Sequence, residues 1–205
     1  MARRFLDLLT VDQGSGGVDS VSRLALVSRD LGYHCIGVVS KARRRALERL
    51  GDLLEMEILP VQERRRRGSD SAILYASGGN ARRAASSGLV DFIIPDHRDS
   101  VSIRYAAENQ VAVAYPYTDL LVERSVRRAN VISRWSSIHL WCRKYGATEI
   151  AVSFATDSYL MRRPRDVSWI ISASLGLGEE EALDWTSTNP MHVVERASER
   201  RRADD

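Results

Sequence analysis

A chain of 205 residues with 44% hydrophobic content supports one sizeable core and excludes a second full domain, so one domain over residues 1–205 is expected. The formal net charge of +3 is mild and by itself identifies no partner. Two cysteines, Cys35 and Cys142, are too few for a disulfide framework or a zinc site, and no apolar run approaches a membrane span; a soluble, cytoplasmic protein with buried free thiols is expected, with no membrane partner.

Short β-branched runs alternate with helical segments along almost the whole chain. Strands are expected at Phe5–Val11, Cys35–Ser40, Glu57–Val61, Ala72–Ser77, Asp91–Pro95, Val111–Tyr115 and Glu149–Phe154. Helices are expected at Asp19–Leu31, Lys41–Leu50, Ala81–Ser87, Val101–Asn109, Ser125–Tyr145, Pro164–Leu175, Glu179–Trp185 and Pro190–Arg200. The segment after the third strand reads as a loop or broken helix, and residues 200–205 read as a frayed tail. Repeated strand–helix units of this size imply a parallel sheet with helices outside it. Pattern alone leaves two closures open, a short (β/α) barrel of seven strands or an open doubly wound sheet.

Of the 30 cationic residues only Lys41 and Lys144 are lysines, so 28 are arginines. The guanidinium fork suits phosphate in a way that an ammonium does not copy. Their placement follows the strands: Lys41, Arg43, Arg44 and Arg45 after the second, Arg64–Arg67 after the third, Arg82 and Arg83 after the fourth, Arg98 after the fifth. Arg124, Arg127 and Arg128 follow the sixth, and Arg162, Arg163 and Arg165 the seventh. In a parallel barrel these positions converge on the end where the strands finish. Acids gather at strand starts instead, among them Asp52, Glu55, Glu57, Asp70, Asp91, Glu108 and Glu149, so an electrically two-faced molecule is expected, with Arg49, Arg143 and Lys144 as exceptions. Cations at helix starts oppose the helix dipole by about 0.3–1 kcal/mol each, an arrangement that makes sense where an anion arrives.

The helix from Ser125 carries an apolar stripe of Val131, Trp135, Ile138, Cys142 and Tyr145, which continues towards its start as Arg128, Arg127 and Arg124. In Arg162-Arg163-Pro164-Arg165-Asp166, Pro164 suits a first helical position and Asp166 the positive end of that helix. Thr188-Asn189-Pro190 reads as a cap followed by proline at the first helical position. The Gly14-Ser-Gly-Gly17 loop lacks the Lys-Ser/Thr of a phosphate loop and reads as a flexible connection.

The order of arginine-led helix, strand Glu149–Ala155, Arg162-x-Pro164-x-Asp166, Leu175-Gly-Leu-Gly-Glu-Glu-Glu-Ala182 and Ser187-Thr188-Asn189 resembles the ribonuclease P protein component 3 family. The resemblance is good from about Asp119 to Val194 and amounts to strand rhythm before that. It implies a TIM-like barrel of about seven parallel strands with additional C-terminal helices, related to PHP phosphoesterases. It further implies a protein subunit of RNase P that supports removal of the 5′ leader from precursor tRNA, the RNA being the catalyst with its own Mg²⁺. No cofactor is expected on this chain. The partners implied are the RNase P RNA, other RNase P proteins and the ferredoxin-like component 2, in pairs that can join as a heterotetramer. Mapped on this chain, the expected RNA-binding residues are Arg124, Arg127, Arg128, Arg162, Arg165, Arg44 and Arg98.

PHP enzymes begin with a His-x-His cluster, whereas the first strand here reads Phe5-Leu-Asp-Leu-Leu-Thr10. No catalytic or metal-binding residue is therefore expected. The rival readings are a metal-dependent hydrolase using Asp7, Asp12, Asp96, His97 or Asp99, and a phosphosugar-binding barrel enzyme. Exposed apolar residues such as Trp185 and Tyr159 are candidates for a protein-facing surface.

Overall fold

Runs of three to seven residues, mostly β-branched or apolar, make strands that tolerate cover on both faces. They form β1 (Leu6–Thr10), β2 (Cys35–Val39), β3 (Glu57–Glu63), β4 (Ile73–Ser77), β5 (Phe92–Ile94), β6 (Ala112–Pro116) and β7 (Glu149–Val152) in a computed structural model. The structure describes residues 3–11, 17–40, 42, 44–63, 73–96 and 99–204. The helices are α1 (Gly17–Leu31), α2 (Arg44–Leu54), α3 (Ala81–Ser87), α4 (Ser100–Glu108), α5 (Thr118–Val122), α6 (Ser125–Tyr145), α7 (Pro164–Leu175), α8 (Glu179–Asp184) and α9 (Thr188–Asp204), with 3-10 turns at Gly78–Asn80 and Ser158–Leu160.

All seven strands are parallel and lie in chain order, each paired with its successor. The open-sheet alternative is removed by the junction of β1 with the segment after β7. There Leu9 bridges Ala155, Thr10 N donates to Ala155 O at 3.0 Å, and Phe154 N donates to Leu8 O at 2.7 Å. The result is a TIM-like barrel of seven strands.

Alternation along the strands sorts side chains between two sides. Leu6 and Leu8, with Cys35, Val61, Ile73, Phe92, Ala112, Ala114, Ile150 and Val152, fill the barrel interior. Gly37 belongs to the same inward row, where a Cβ would meet Leu8 and Val61 at 2.3 and 2.6 Å, so the interior has no room for even a methyl group. Outward residues of β1–β3 pack under α1 and α2, and those of β4–β7 under α3, α4, α6, α7 and α8. On α6 the buried residues are Val131, Trp135, Ile138 and Cys142, as its spacing predicts; the helix stops where Gly146 takes φ 75° and donates to Cys142 O.

The C-terminal helix does more than append itself. Val193, Val194 and Ala197 of α9 join the interior cluster, so α9 closes the mouth at which the strands begin. Asn189 donates to Glu149 O at 2.8 Å, and Arg196 donates to the backbone oxygens of Gln110 and Gly88. Arg200 pairs with the buried Asp91. These bonds explain why α9 extends through Asp204 instead of ending at Arg200 as expected. Pro190 is the third helical residue, not the first, because Met191 N bonds Ser187 O; its missing N–H is among the unpaired donors of a first turn either way. The five-residue α5, too short for a periodic signal, was not expected.

Candidate functional site

Strand ends and the helices that follow them build the rim opposite α9. Beneath the rim the interior is closed by aromatic rings: Tyr75 stacks on Phe92 at 5.2 Å, and Phe154 leans on both at 5.4 and 6.3 Å. Phe154 reaches them from a left-handed backbone conformation with φ 50°, a strained state for a residue with a Cβ. Among the described residues the barrel centre is therefore apolar.

Two carboxylates of the hydrolase reading, Asp7 and Asp99, are engaged elsewhere. Asp7 points outward at the β1–β7 seam, where its Oδ1 accepts from Ser153 N at 2.7 Å and Leu8 N at 2.8 Å, and its Oδ2 from the Tyr117 hydroxyl at 3.3 Å. Full burial pushes its pKa up to about 6 against those hydrogen bonds. Asp99 caps α4 through Ser102 N and binds Arg82 at 2.7–3.0 Å. Burial alone would raise the Asp99 carboxyl, but the bonds from Arg82 and the backbone outweigh it and hold it below its ordinary value. Asp96 is exposed. Asp12, His97, Arg98, Lys41, Arg43, Asp70, the Arg64–Arg67 run and loop residues 14–16 lie outside the described residues.

The arginines expected at the rim divide into two groups. Arg44 pairs with Glu48 at 2.7 Å, Arg82 with Asp99 at 2.7 Å, and Arg128 Nε donates to Glu123 O at 2.9 Å. Arg162, half-buried, uses Nη1 to clamp the carbonyls of Tyr159 and Met161 at 2.7 Å each, while its own carbonyl accepts from Tyr33. Arg124, Arg127, Arg163 and Arg165 are exposed and have no side-chain partner among the described residues, and the same holds for Arg45 and Arg83.

Arg124 and Arg163 occupy the N-cap positions of α6 and α7, and neither supplies a side-chain cap. The first N–H groups of both helices thus stay open where two arginine groups lie. Ser125, the first residue of α6, has φ 46°, so this turn stores strain of about 1–3 kcal/mol. Because β6 and β7 are parallel neighbours and α6 packs on α7, Arg124–Arg128 and Arg162–Arg165 share one side of the rim. Arg163 belongs with them although the sequence argument singled out its neighbours.

The opposite end behaves differently. Arg3 binds Glu180, Asp184 and Ser187, Arg4 binds Glu57 at 3.4 Å, and Arg143 binds Glu181 at 3.0 Å. Glu149 is buried, accepting from Tyr115 at 2.6 Å and lying 3.1 Å from His139 Nδ1. The expected acidic face is thus largely paired or buried, and the asymmetry consists of unpartnered arginines at one end. Trp185, expected to be exposed, is 2% exposed and stacks on Tyr115 at 4.8 Å. Cys35 and Cys142 are free and buried, and burial pushes both thiols up. Among the described residues no helix is long and apolar enough to cross a membrane.

Fold and rim define a class: a closed parallel barrel whose strand-end face presents unpaired arginines beside uncapped helix starts, an arrangement suited to polyanions. The profile of the RNase P subunit p30 family matches residues 90–202, and the chain belongs to that family. It is 26% identical over 133 residues to ribonuclease P protein component 3 of Methanococcoides burtonii, covering 60% of this chain and 55% of that protein. It is 30% identical over 138 residues to the Methanothermobacter thermautotrophicus protein of the same name, covering 62% and 56%. The chain therefore spans little more than half the length of these two relatives. A third, from Methanosarcina mazei, is 26% identical over 203 residues, covering 88% of this chain and 84% of that one. Among solved structures, a chain from a cryo-EM structure of archaeal ribonuclease P with mature tRNA superposes with a TM-score of 0.73 at 12% identity, over 94% of this chain and 90% of that chain. At that identity the match speaks for the fold.

Proposed function

We propose that this protein is a subunit of ribonuclease P that binds the catalytic RNA through its arginine rim and supports removal of the 5′ leader from precursor tRNA. The single observation that carries the reading is the pair of neighbouring, unpartnered arginine groups at the starts of α6 and α7, inside the segment matched by the family profile. Arg124, Arg127, Arg163 and Arg165 neutralise phosphates, Arg128 and Arg44 add to the field, and Arg162 shapes the loop that presents its neighbours. The RNA supplies catalysis with its own Mg²⁺, and this chain contributes no metal ligand or nucleophile. It acts in the cytoplasm with component 2 and other RNase P proteins, in pairs that can join as a heterotetramer.

The test is precursor-tRNA cleavage by reconstituted RNase P RNA and component 2, with and without this protein. A strong gain in cleavage is expected; no gain, in a reconstitution that responds to an authentic component 3, refutes the reading. A second measurement locates the face. Arg124→Gln, Arg127→Gln and Arg165→Gln each lower RNA affinity, and each reduces the slope of log affinity against log salt by about 1. An unchanged slope would move RNA binding elsewhere on the molecule.

A further inference from the structure

Among the described residues two Phe, Tyr or Trp side chains are exposed, Tyr159 at 70% and Trp169 at 71%, and both flank the arginines that follow β7. We infer that the segment from Tyr159 to Trp169 is a stacking platform for unpaired RNA bases, beside arginines that hold the adjoining phosphates. This inference rests on the RNA reading above and names the kind of RNA that this part of the rim takes.

The local geometry is built, not loose. Tyr159 lies in the 3-10 turn Ser158–Leu160, whose start Asp157 caps and whose carbonyl oxygen Arg162 clamps at 2.7 Å. Trp169 stands on α7 outside the buried stripe of Val167 and Ile171, one turn beyond Arg165 and about 6 Å further along the axis. Arg163 and Arg165 lie between the two aromatic residues in the sequence, are exposed, and have no side-chain partner among the described residues. Of the nearest acids, Asp157 precedes the segment and is occupied as the cap, and Asp166, the one acid within it, is exposed in the first turn of α7.

The occupant follows from what surrounds the rings. A protein-docking surface presents a contiguous apolar patch, and α7 itself offers Trp169 none: its neighbours one turn away on the helix are Arg165, Asp166, Ser172 and Ala173. Isolated rings interleaved with arginines are the composition used for single strands, where every base offers a π face and every nucleotide a phosphate. Duplex RNA hides its base faces, so it engages the arginines alone.

The experiment compares a short single-stranded oligouridylate with a blunt RNA duplex as ligands of the full chain. Trp135 and Trp185 are buried and Trp141 is half-buried, so Trp169 is the exposed tryptophan and its fluorescence reports a stacked base. The single strand should quench this emission. Trp169→Ala and Tyr159→Ala should each weaken single-strand binding by roughly 5- to 150-fold and leave duplex binding unchanged. Trp169→Phe should restore most of the affinity. Unchanged single-strand affinity in Trp169→Ala, with Arg124→Gln still weakened, overturns the stacking inference and leaves the arginine rim standing. Equal losses on duplex and single strand, or a defect confined to binding a protein partner, overturn it as well. Full RNA affinity in both the arginine and the aromatic variants overturns the rim along with the platform.

Discussion

Asp7 closes the barrel at the residue scale. At the seam its carboxylate replaces a backbone partner for Ser153 N, while the Ser153 hydroxyl donates to Leu8 O at 2.9 Å. Burial raises its pKa from 3.8 to about 6, so the folded chain binds this proton more tightly than the unfolded chain does. The contribution to stability is therefore fully present below about pH 4, declines as pH rises through 6, and is flat above it. Asparagine keeps an acceptor for the two N–H donors and presents an amide to the Tyr117 oxygen without an ionised state. Asp7→Asn is expected to flatten the pH dependence between 4 and 7 and to gain up to about 3 kcal/mol at pH 7.5. Urea midpoints of the two proteins at pH 5 and pH 7.5 check this; a variant that loses more stability at pH 7.5 than at pH 5 would mean that the seam depends on the charged carboxylate.

Two helices define the molecule at the scale of elements, and they use arginine in opposite ways. On α9, Arg200 neutralises Asp91, whose side chain is fully buried, and Arg196 satisfies carbonyls at the strand-start mouth. Burial raises the Asp91 carboxyl, and Arg200 opposes that rise. Replacing Arg200 alone leaves a buried, unpaired carboxylate, and Arg200→Met is expected to cost about 3–5 kcal/mol in urea unfolding. The double variant Asp91→Asn/Arg200→Met should recover much of that loss; if it recovers none, α9 is held by packing of Val193, Val194 and Ala197 and not by the ion pair. On α6 the arginines precede the apolar stripe and pair with no acid in the first turn. Arg124 and Arg127 have no side-chain partner among the described residues, whereas Arg128 holds Glu123 O.

At the scale of the whole molecule this becomes a separation of charge by use. Arginines at the strand-start end bind acids and carbonyls of the protein, and Arg124, Arg127, Arg163 and Arg165 at the α6 and α7 starts have no side-chain partner among the described residues. The consequence is measurable without RNA. Arg124→Gln and Arg127→Gln remove charges that oppose the α6 dipole, so they should leave stability unchanged or raise it by about 0.3–1 kcal/mol each. Arg200→Met, at the other end, should destabilise. If the rim variants lower the urea midpoint as Arg200→Met does, these arginines belong to the framework and the rim is not a reserved binding face.

Among the described residues, the strands and eight of the nine α-helices were legible in the sequence because each is written locally. Period-two and period-3.6 patterns, Pro164 at a helix start and Gly146 at a helix end all act within a few residues. The family order from Arg124 to Asn189 was legible for the same reason. Only the tertiary structure decided that the sheet closes, since the Leu9–Ala155 bridge joins residues far apart in the chain. It also decided which arginines stay unpaired: Arg82 and Arg124 look alike in sequence, yet Arg82 meets Asp99 and Arg124 meets no acid. Trp185, expected to be exposed, is stacked on Tyr115, while Trp169 is left in solvent. Partnership and exposure depend on what folds against a side chain from elsewhere, and no local spacing encodes that.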